Sequence, residues 1–123
     1  MRKISEQCAK HFWDGTEAHL SKRDSIINTG DSVILELWGH AIATREAETL
    51  IIDSCGYQTN TTKERLNGIL YKLNWRIYQH KGVWYVEDVS KGMTHYGCKH
   101  DLLKDVRFRD GMRLDTFTNR WTE

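Results

Sequence analysis

The segment TTKERLNGILYKLNWRIYQHKGVWYVE, residues 61–87, carries the clearest structural pattern of the chain. Its apolar residues have the helical spacing i, i+3, i+4 and i+7: Leu66, Ile69, Leu70 and Leu73. Thr61 followed three residues later by Glu64 fits a capping box, in which each side chain satisfies a free backbone N–H at the helix start. We therefore predict an amphipathic helix over Thr61–Leu73 with Thr61 as its N-cap.

The second half of this segment alternates with the two-residue period of β-strands. Residues 75–80 and 83–86 alternate on either side of Lys81-Gly82, which suits a two-residue turn. A hairpin is therefore predicted directly after the helix. Because the apolar stripe of the helix must be buried, we expect the helix to pack across one face of the sheet.

Upstream of residue 61 the chain predicts a short helix and then a β-meander. Ile4, Cys8 and Phe12 recur every four positions and Asp14-Gly15 is a plausible helix end, whereas 16–23 reads as a polar connector. Extended segments separated by turn residues follow at 26–28, 33–38, 41–45 and 49–53.

These patterns together predict an α+β fold. We expect an antiparallel sheet of five or six strands with one amphipathic helix on a face, a short N-terminal helix, and the element order α-β-β-β-β-α-β-β. The predicted organisation is an N-terminal helix and connector (1–23), an α+β core domain (24–88), and a C-terminal extension (89–123) packed on or trailing from the core.

Composition excludes several classes of protein. The 123 residues carry 18 Lys and Arg against 17 Asp and Glu, so the net charge of +1 fits neither an acidic nucleic-acid mimic nor a histone-like protein. No apolar run approaches the roughly 20 residues of a membrane span, and the N-terminus lacks the apolar stretch of a signal peptide. We therefore expect a protein that is not secreted and whose cysteines are reduced.

Positive charge is concentrated in one short stretch. Residues 57–81 hold five basic residues against one acidic residue, whereas the rest of the chain is net negative. Basic and aromatic side chains together on a sheet can stack on bases and neutralise phosphates. The predicted binding patch consists of Lys63, Arg65, Arg76, Tyr78, His80, Lys81 and Trp84. The alternative is that Tyr78 and Trp84 belong to the core and the cations only keep that edge soluble.

Part of the chain resembles a family of small, mostly uncharacterised proteins encoded by tailed bacteriophages. The matching segments lie within residues 28–85: Gly39-His40-Ala41-Ile42-Ala43, Gly56-Tyr57, Thr59-Asn60-Thr61-Thr62-Lys63-Glu64-Arg65-Leu66-Asn67 and Gln79-His80-Lys81-Gly82-Val83-Trp84-Tyr85. The resemblance implies a phage origin, with the host cell cytoplasm as the place of action, and a small α+β module. It implies no activity and no catalytic residues.

Two further constellations could bind metal. Zinc could be held by Cys8 and His11, spaced C-x₂-H, with His95, Cys98 and His100, spaced H-x₂-C-x-H. This spacing matches no paired zinc signature, so we expect Cys8 in the helix stripe, the histidines in solvent, and no metal or cofactor. The carboxylates of Glu87-Asp88 near His95 are the basis of a second alternative, a small metal-dependent nuclease. Cys55 reads as a small core residue.

The function predicted from these patterns is non-enzymatic. The chain contains no P-loop, dinucleotide glycine motif or nucleophile elbow, whereas five Trp and five Tyr suit a protein interface with aromatic anchors. We predict a phage accessory protein that inhibits a host defence or nucleic-acid-handling protein, for example an anti-CRISPR. The partner would be a host protein or a protein–nucleic acid complex. The alternative is a single-stranded DNA- or RNA-binding module that uses the basic-aromatic hairpin.

Overall fold

The computed structural model describes residues 2–91, 93–94, 97–98 and 102–122, with the backbone alone for 91, 93–94 and 97–98. The helices are α1 (Lys3–Asp14) and α2 (Asn60–Tyr71), and a 3₁₀ turn covers Val89–Lys91. The strands are β1 (Ala18–His19), β2 (Asp24–Asn28), β3 (Ser32–Leu37), β4 (His40–Glu46), β5 (Thr49–Ile52), β6 (Trp75–His80), β7 (Val83–Asp88), β8 (Met93–Thr94), β9 (Gly97–Cys98), β10 (Val106–Arg107), β11 (Met112–Asp115) and β12 (Arg120–Thr122).

Among the described residues, the main sheet has seven antiparallel strands in the order β1-β2-β3-β4-β5-β11-β12. A three-stranded antiparallel sheet has the order β10-β7-β6, and β8 pairs with β9. The α+β prediction is confirmed, and the predicted order α-β-β-β-β-α-β-β corresponds to α1, β2–β5, α2, β6 and β7.

The prediction of one sheet with five or six strands is wrong in detail. Helix α2 separates β6 from β5, so the hairpin forms a second sheet instead of continuing the meander. Strands β11 and β12, which follow the predicted core segment, extend the main sheet at the edge of β5.

The main sheet has an inner face toward the helices and an outer face away from them. Inner-face side chains such as Leu35, Leu50 and Leu114 are completely buried, and α1 and α2 both contact this sheet. Helix α2 also contacts β6, so its apolar stripe lies between the two sheets. Burial of Leu66, Ile69 and Leu70 stabilises the fold by roughly 1.5–3 kcal/mol each.

Helix α2 begins two residues earlier than predicted. Its N-cap is Thr59, whose Oγ1 accepts a hydrogen bond from the Thr62 N–H at 3.2 Å, so the assignment of Thr61 is wrong. Glu64 does not complete a capping box because its carboxylate bonds to α1, accepting from Ser5 Oγ at 3.0 Å and pairing with Arg2 at 3.3 Å.

The two helices approach each other closely at Gly68. A Cβ at this position would lie 2.9 Å from the backbone oxygen of Ser5, so only glycine allows the observed spacing. At the next residue of α2, Trp13 Nε1 donates to the Ile69 carbonyl at 3.1 Å. Helix α1 ends at Gly15 as predicted, with a left-handed φ of 73°.

Candidate functional site

A cleft of about 570 Å³ opens between the β3–β4 turn and the start of α2. Its lining is apolar, aromatic and hydroxylic: Leu37, Trp38, His40, Ile42, Ser54, Tyr57, Thr59, Thr61 and Thr62. Two of these rings stand out from the surface, because Trp38 is 64% exposed and Tyr57 is 56% exposed. We call this site the Trp38–Tyr57 cleft.

Each exposed ring sits on a tight turn with two left-handed residues. Trp38 (φ 54°) and Gly39 (φ 78°) form the two-residue turn between β3 and β4. Cys55 (φ 54°) and Gly56 (φ 82°) form the centre of a second turn, closed by the hydrogen bond from Tyr57 N–H to Ser54 C=O at 2.9 Å. Tryptophan in a left-handed conformation is energetically costly, and strain of this kind clusters at functional sites.

A set of hydrogen bonds fixes the second turn against β4 and the β10–β11 loop. The Asp53 N–H donates to the Ile42 carbonyl at 2.8 Å, and Cys55 Sγ donates to the Ala41 carbonyl at 3.4 Å. Ser54 donates from both N–H (2.8 Å) and Oγ (2.6 Å) to Oδ1 of Asp110. The cleft is therefore held in shape before any partner binds.

The cleft has little charge. Among the described residues that line it, none is Lys, Arg, Asp or Glu, and only His40 is titratable besides Tyr57. The His40 and Tyr57 rings lie 5.0 Å apart. Such a site can bind apolar groups against its rings and can form hydrogen bonds through its Ser and Thr hydroxyls.

The predicted basic-aromatic surface of the hairpin is wrong for its two rings. Tyr78 is 7% exposed and Trp84 is 2% exposed, so neither ring can stack on a base. The strand register also places them on opposite faces, because Tyr78 pairs with Tyr85 and Trp84 pairs with Gln79. Burial and the hydrogen bond from its hydroxyl to Asp105 raise the pKa of Tyr78 above the usual value.

Arg65 was also expected at the surface and is instead completely buried. Its Nε donates to Oδ1 of Asp24 at 2.7 Å, and its Nη1 donates to Ser5 Oγ at 2.9 Å. Burial alone would raise the pKa of Asp24, but the hydrogen bonds from Arg65 and Ser21 and the Arg65 charge lower it below the usual value. Arg65 thus joins α2 to β2 and to α1.

The remaining four patch residues do reach the surface. His80 and Lys81 are exposed at the hairpin turn, and Lys63 is partly exposed in the first turn of α2. The Arg76 side chain is 42% exposed and ion-pairs with Glu87, with Nε 2.9 Å from Oε1. A role for these four residues in binding stays a prediction.

A family model described as Kyanoviridae Gp96 protein matches residues 1–115. The chain belongs to the Kyanoviridae Gp96 protein family. It is therefore a bacteriophage protein, as the resemblance implied. No curated protein and no solved structure matches it.

The described residues of this Gp96-family chain include no helix long and apolar enough to cross a membrane. They also include no cluster of three or more potential metal ligands. Burial and the charge of Asp24 raise the pKa of Cys8 to about 12. The thiol form is therefore favoured at this position, whereas zinc binds the thiolate. His11 lies one turn further along α1, whereas His95, His100 and the Cys98 side chain lie outside the described residues.

The carboxylates of the nuclease alternative already have partners. Glu87 is 2% exposed and bonded to Arg76, and Asp88 accepts hydrogen bonds from Ser90 N–H (2.9 Å) and Oγ (2.5 Å). His95 lies outside the described residues. The prediction that the protein is not an enzyme stays a prediction.

The sequence reasoning did not predict the cleft. Trp38 and Tyr57 are separated by a strand pair and a turn, so no local pattern places them together. A signal was present in the two glycines that adjoin them, since Trp38-Gly39 and Gly56-Tyr57 both lie at predicted strand ends. Cys55, expected in the core, is partly exposed beside the cleft, and burial with the nearby Asp53 charge raises its pKa.

Proposed function

We propose that this phage protein is a non-enzymatic accessory protein that binds a host protein inside the host cell, and that the Trp38–Tyr57 cleft is its contact surface. One observation carries the proposal. Trp38 is 64% exposed at the lip of an apolar cleft while its backbone has a left-handed φ of 54°.

Trp38 contributes little to folding at this position. An exposed ring buries little apolar surface, and a left-handed non-glycine residue costs roughly 1–2 kcal/mol. Asparagine or glycine would fit the turn better. A residue that opposes folding stability and projects a large ring into solvent is best explained by a contact outside the fold.

The lining of the cleft favours a protein partner over a nucleic acid. Trp and Tyr dominate the energetics of protein interfaces, where they fill or line pockets from which water is excluded. Nucleic-acid binding depends on cations at the phosphates, and the described lining residues include none. The hairpin rings that could have stacked on bases are buried.

Inhibition is the effect that binding alone can produce. Glu87 and Asp88, the carboxylates of the nuclease alternative, are engaged in structural contacts. A chain of 123 residues can block a larger protein by occupying part of its surface. We therefore propose, as the sequence suggested, that the protein is an inhibitor. Its partner would be a host defence or nucleic-acid-handling protein, such as a CRISPR effector.

The experiment is affinity capture from host-cell lysate, with and without nuclease, followed by variants. Trp38→Asn removes the ring but suits the left-handed turn, so the fold should be retained. We expect a nuclease-resistant host protein that wild type retains from roughly 50 to 200 mM salt and that Trp38→Asn loses, with at least a roughly 30-fold weaker Kd.

Tyr71→Ala is the matched control, because Tyr71 is a 75% exposed aromatic residue at the end of α2, outside the cleft. It should bind as wild type does. Retention of the same partner by Trp38→Asn, or loss of the partner on nuclease treatment, would contradict the proposal.

A further inference from the structure

The outer face of the main sheet carries an apolar row that crosses four adjacent strands. The register pairs Ile27 of β2 with Ile34 of β3, Ile34 with Thr44 of β4, and Thr44 with Ile51 of β5. Residues paired in this way point to the same face, and their sequence neighbours on the other face are the buried core residues. We call Ile27, Ile34, Thr44 and Ile51 the outer strip.

The outer strip is not accounted for by the fold. All four side chains are only partly buried, and within the described residues none of the three isoleucines belongs to the hydrophobic core or packs against it. An antiparallel sheet with one covered face normally shows polar residues on the other. A contiguous apolar row with polar neighbours is typical of an interaction surface.

Charges of opposite sign lie toward the two ends of this face. Glu36 and Glu17 line a shallow depression beside Ile27 at the β1–β3 end. Arg113 continues the row from Ile51 on β11, and Arg120 on the edge strand β12 pairs with Asp115, so this end carries two cations against one carboxylate. None of these four side chains has an ion-pair partner in the described part of the chain.

We propose that the outer strip is the contact between two copies of this chain, whose main sheets pack face to face about a two-fold axis. Each copy presents the same row of β-branched side chains, which interdigitate when two sheets pack roughly 10 Å apart. A two-fold axis along the strands reverses the strand order, so the acidic end of one copy lies over the basic end of the other.

The size of the face suits such a contact. Seven strands at roughly 4.8 Å spacing are about 29 Å across, and five residues along a strand are about 17 Å long. The face therefore measures roughly 500 Å² per copy, and two copies bury about 1,000 Å², near the lower limit of specific interfaces. A dimer of this size should dissociate on dilution.

This contact is independent of the proposed host-protein site. Leu37 and His40, which line the Trp38–Tyr57 cleft, pair with each other and lie on the inner side of the sheet, whereas the outer strip lies on the opposite side. Dimerisation through the outer strip leaves both clefts accessible.

The test is sedimentation of the purified protein from about 1 μM to about 1 mM. We expect a concentration-dependent shift from the 14.5 kDa chain to twice that mass. Ile34→Lys and Ile51→Lys should each remain monomeric at all concentrations, with circular dichroism showing the wild-type fold. Tyr71→Lys, a substitution on α2, should dimerise as wild type does.

The charge arrangement is tested by a swap. Glu36→Arg and Arg113→Glu should each weaken dimerisation roughly 3- to 10-fold, and the double variant should recover most of the loss. A wild-type protein that is monomeric throughout the concentration range overturns the proposal, as does a dimer that persists in both lysine variants.

Discussion

Arg65 is the largest fully buried side chain of the described residues, and its guanidinium lies against the equally buried carboxylate of Asp24. A buried ion pair adds little net stability because both ions lose their hydration, but loss of one partner leaves an uncompensated charge in the core. Ser5, Ser21 and Cys8 surround the pair with further hydrogen bonds. The pair therefore specifies how α1, α2 and β2 meet.

This geometry predicts a pH dependence of stability. The pKa of Asp24 is lower in the folded state than its usual value of 3.8, so its contribution to stability is complete above about pH 5 and is lost as pH falls through the folded pKa. In urea unfolding, we expect Asp24→Asn to be less stable than wild type at pH 7, by about 3–5 kcal/mol if the pair is broken.

The difference between the two proteins should shrink as pH falls below about 4, because wild type then protonates the same carboxyl group. Asp31→Asn, at an exposed turn position, controls for removal of a carboxylate as such. A difference that stays constant from pH 7 to about pH 3 would contradict the assignment of Asp24.

Asn67 has a different role in the same helix. Its Oδ1 accepts a hydrogen bond from the Ile77 N–H at 2.6 Å and its Nδ2 donates to the Ile77 carbonyl at 3.0 Å. Among the described strands β6 lies at the edge of its sheet, and the amide of Asn67 occupies the backbone groups that a neighbouring strand would use. The side chain therefore closes the middle of that edge.

We predict that Asn67→Ala destabilises the protein by about 2–4 kcal/mol, since both backbone groups of Ile77 lose their partner. Chemical denaturation measures the loss. Gln7→Ala, which removes an exposed amide from α1, should change stability by no more than about 0.5 kcal/mol. Equal stabilities of the two variants would show that water replaces Asn67.

The contact between helices α1 and α2 depends on Gly68, a residue type that is unfavourable in a helix interior. Glycine in a helix interior costs roughly 0.5–1 kcal/mol relative to alanine, yet Gly68 lies in the middle of α2. The close approach of the Ser5 carbonyl explains its presence. Helix packing outweighs helix propensity at this position.

Gly68→Ala should therefore destabilise the protein, although alanine is the better helix former. The new Cβ meets backbone 2.9 Å away, so α1 must shift, and we expect a net loss of about 1–3 kcal/mol in thermal or urea unfolding. Tyr71→Ala, which places alanine at an exposed position at the end of α2, should show no such loss. A more stable Gly68→Ala protein would show that the helices can separate freely.

In the molecule as a whole, the sequence predicted the positions of the helices and strands better than the tertiary contacts that cover their faces. The stripe containing Leu66 and Leu70 and the alternation of β6 and β7 depend on neighbouring residues, so the patterns were sufficient. Alternation shows which side chains share a face but not what covers that face. Other parts of the molecule cover both faces of the hairpin at these two rings. Tyr78 and Trp84 are therefore buried, although the sequence predicts both in a surface patch.

Contacts between residues far apart in the sequence were the second feature that the sequence did not predict. Arg65 reads as a surface cation until Asp24, 41 residues away, is placed beside it. The Arg65-Leu66-Asn67 motif of the phage resemblance consists of an ion-pair residue, a core residue and an edge cap. Strand β11 alternates over only four residues, too few for a sequence pattern to identify it.

The pairing of β11 with β5 also bears on how the protein is made in the cell. Ile52 pairs with Met112, 60 residues later in the chain. At typical synthesis rates of roughly 5–20 residues per second, the ribosome synthesises β11 about 3–12 s after β5. During that interval the free edge of β5, with Leu50 and Ile52 beside it, is open to other nascent chains. The yield of folded protein should therefore depend on how fast the ribosome translates the second half of the message.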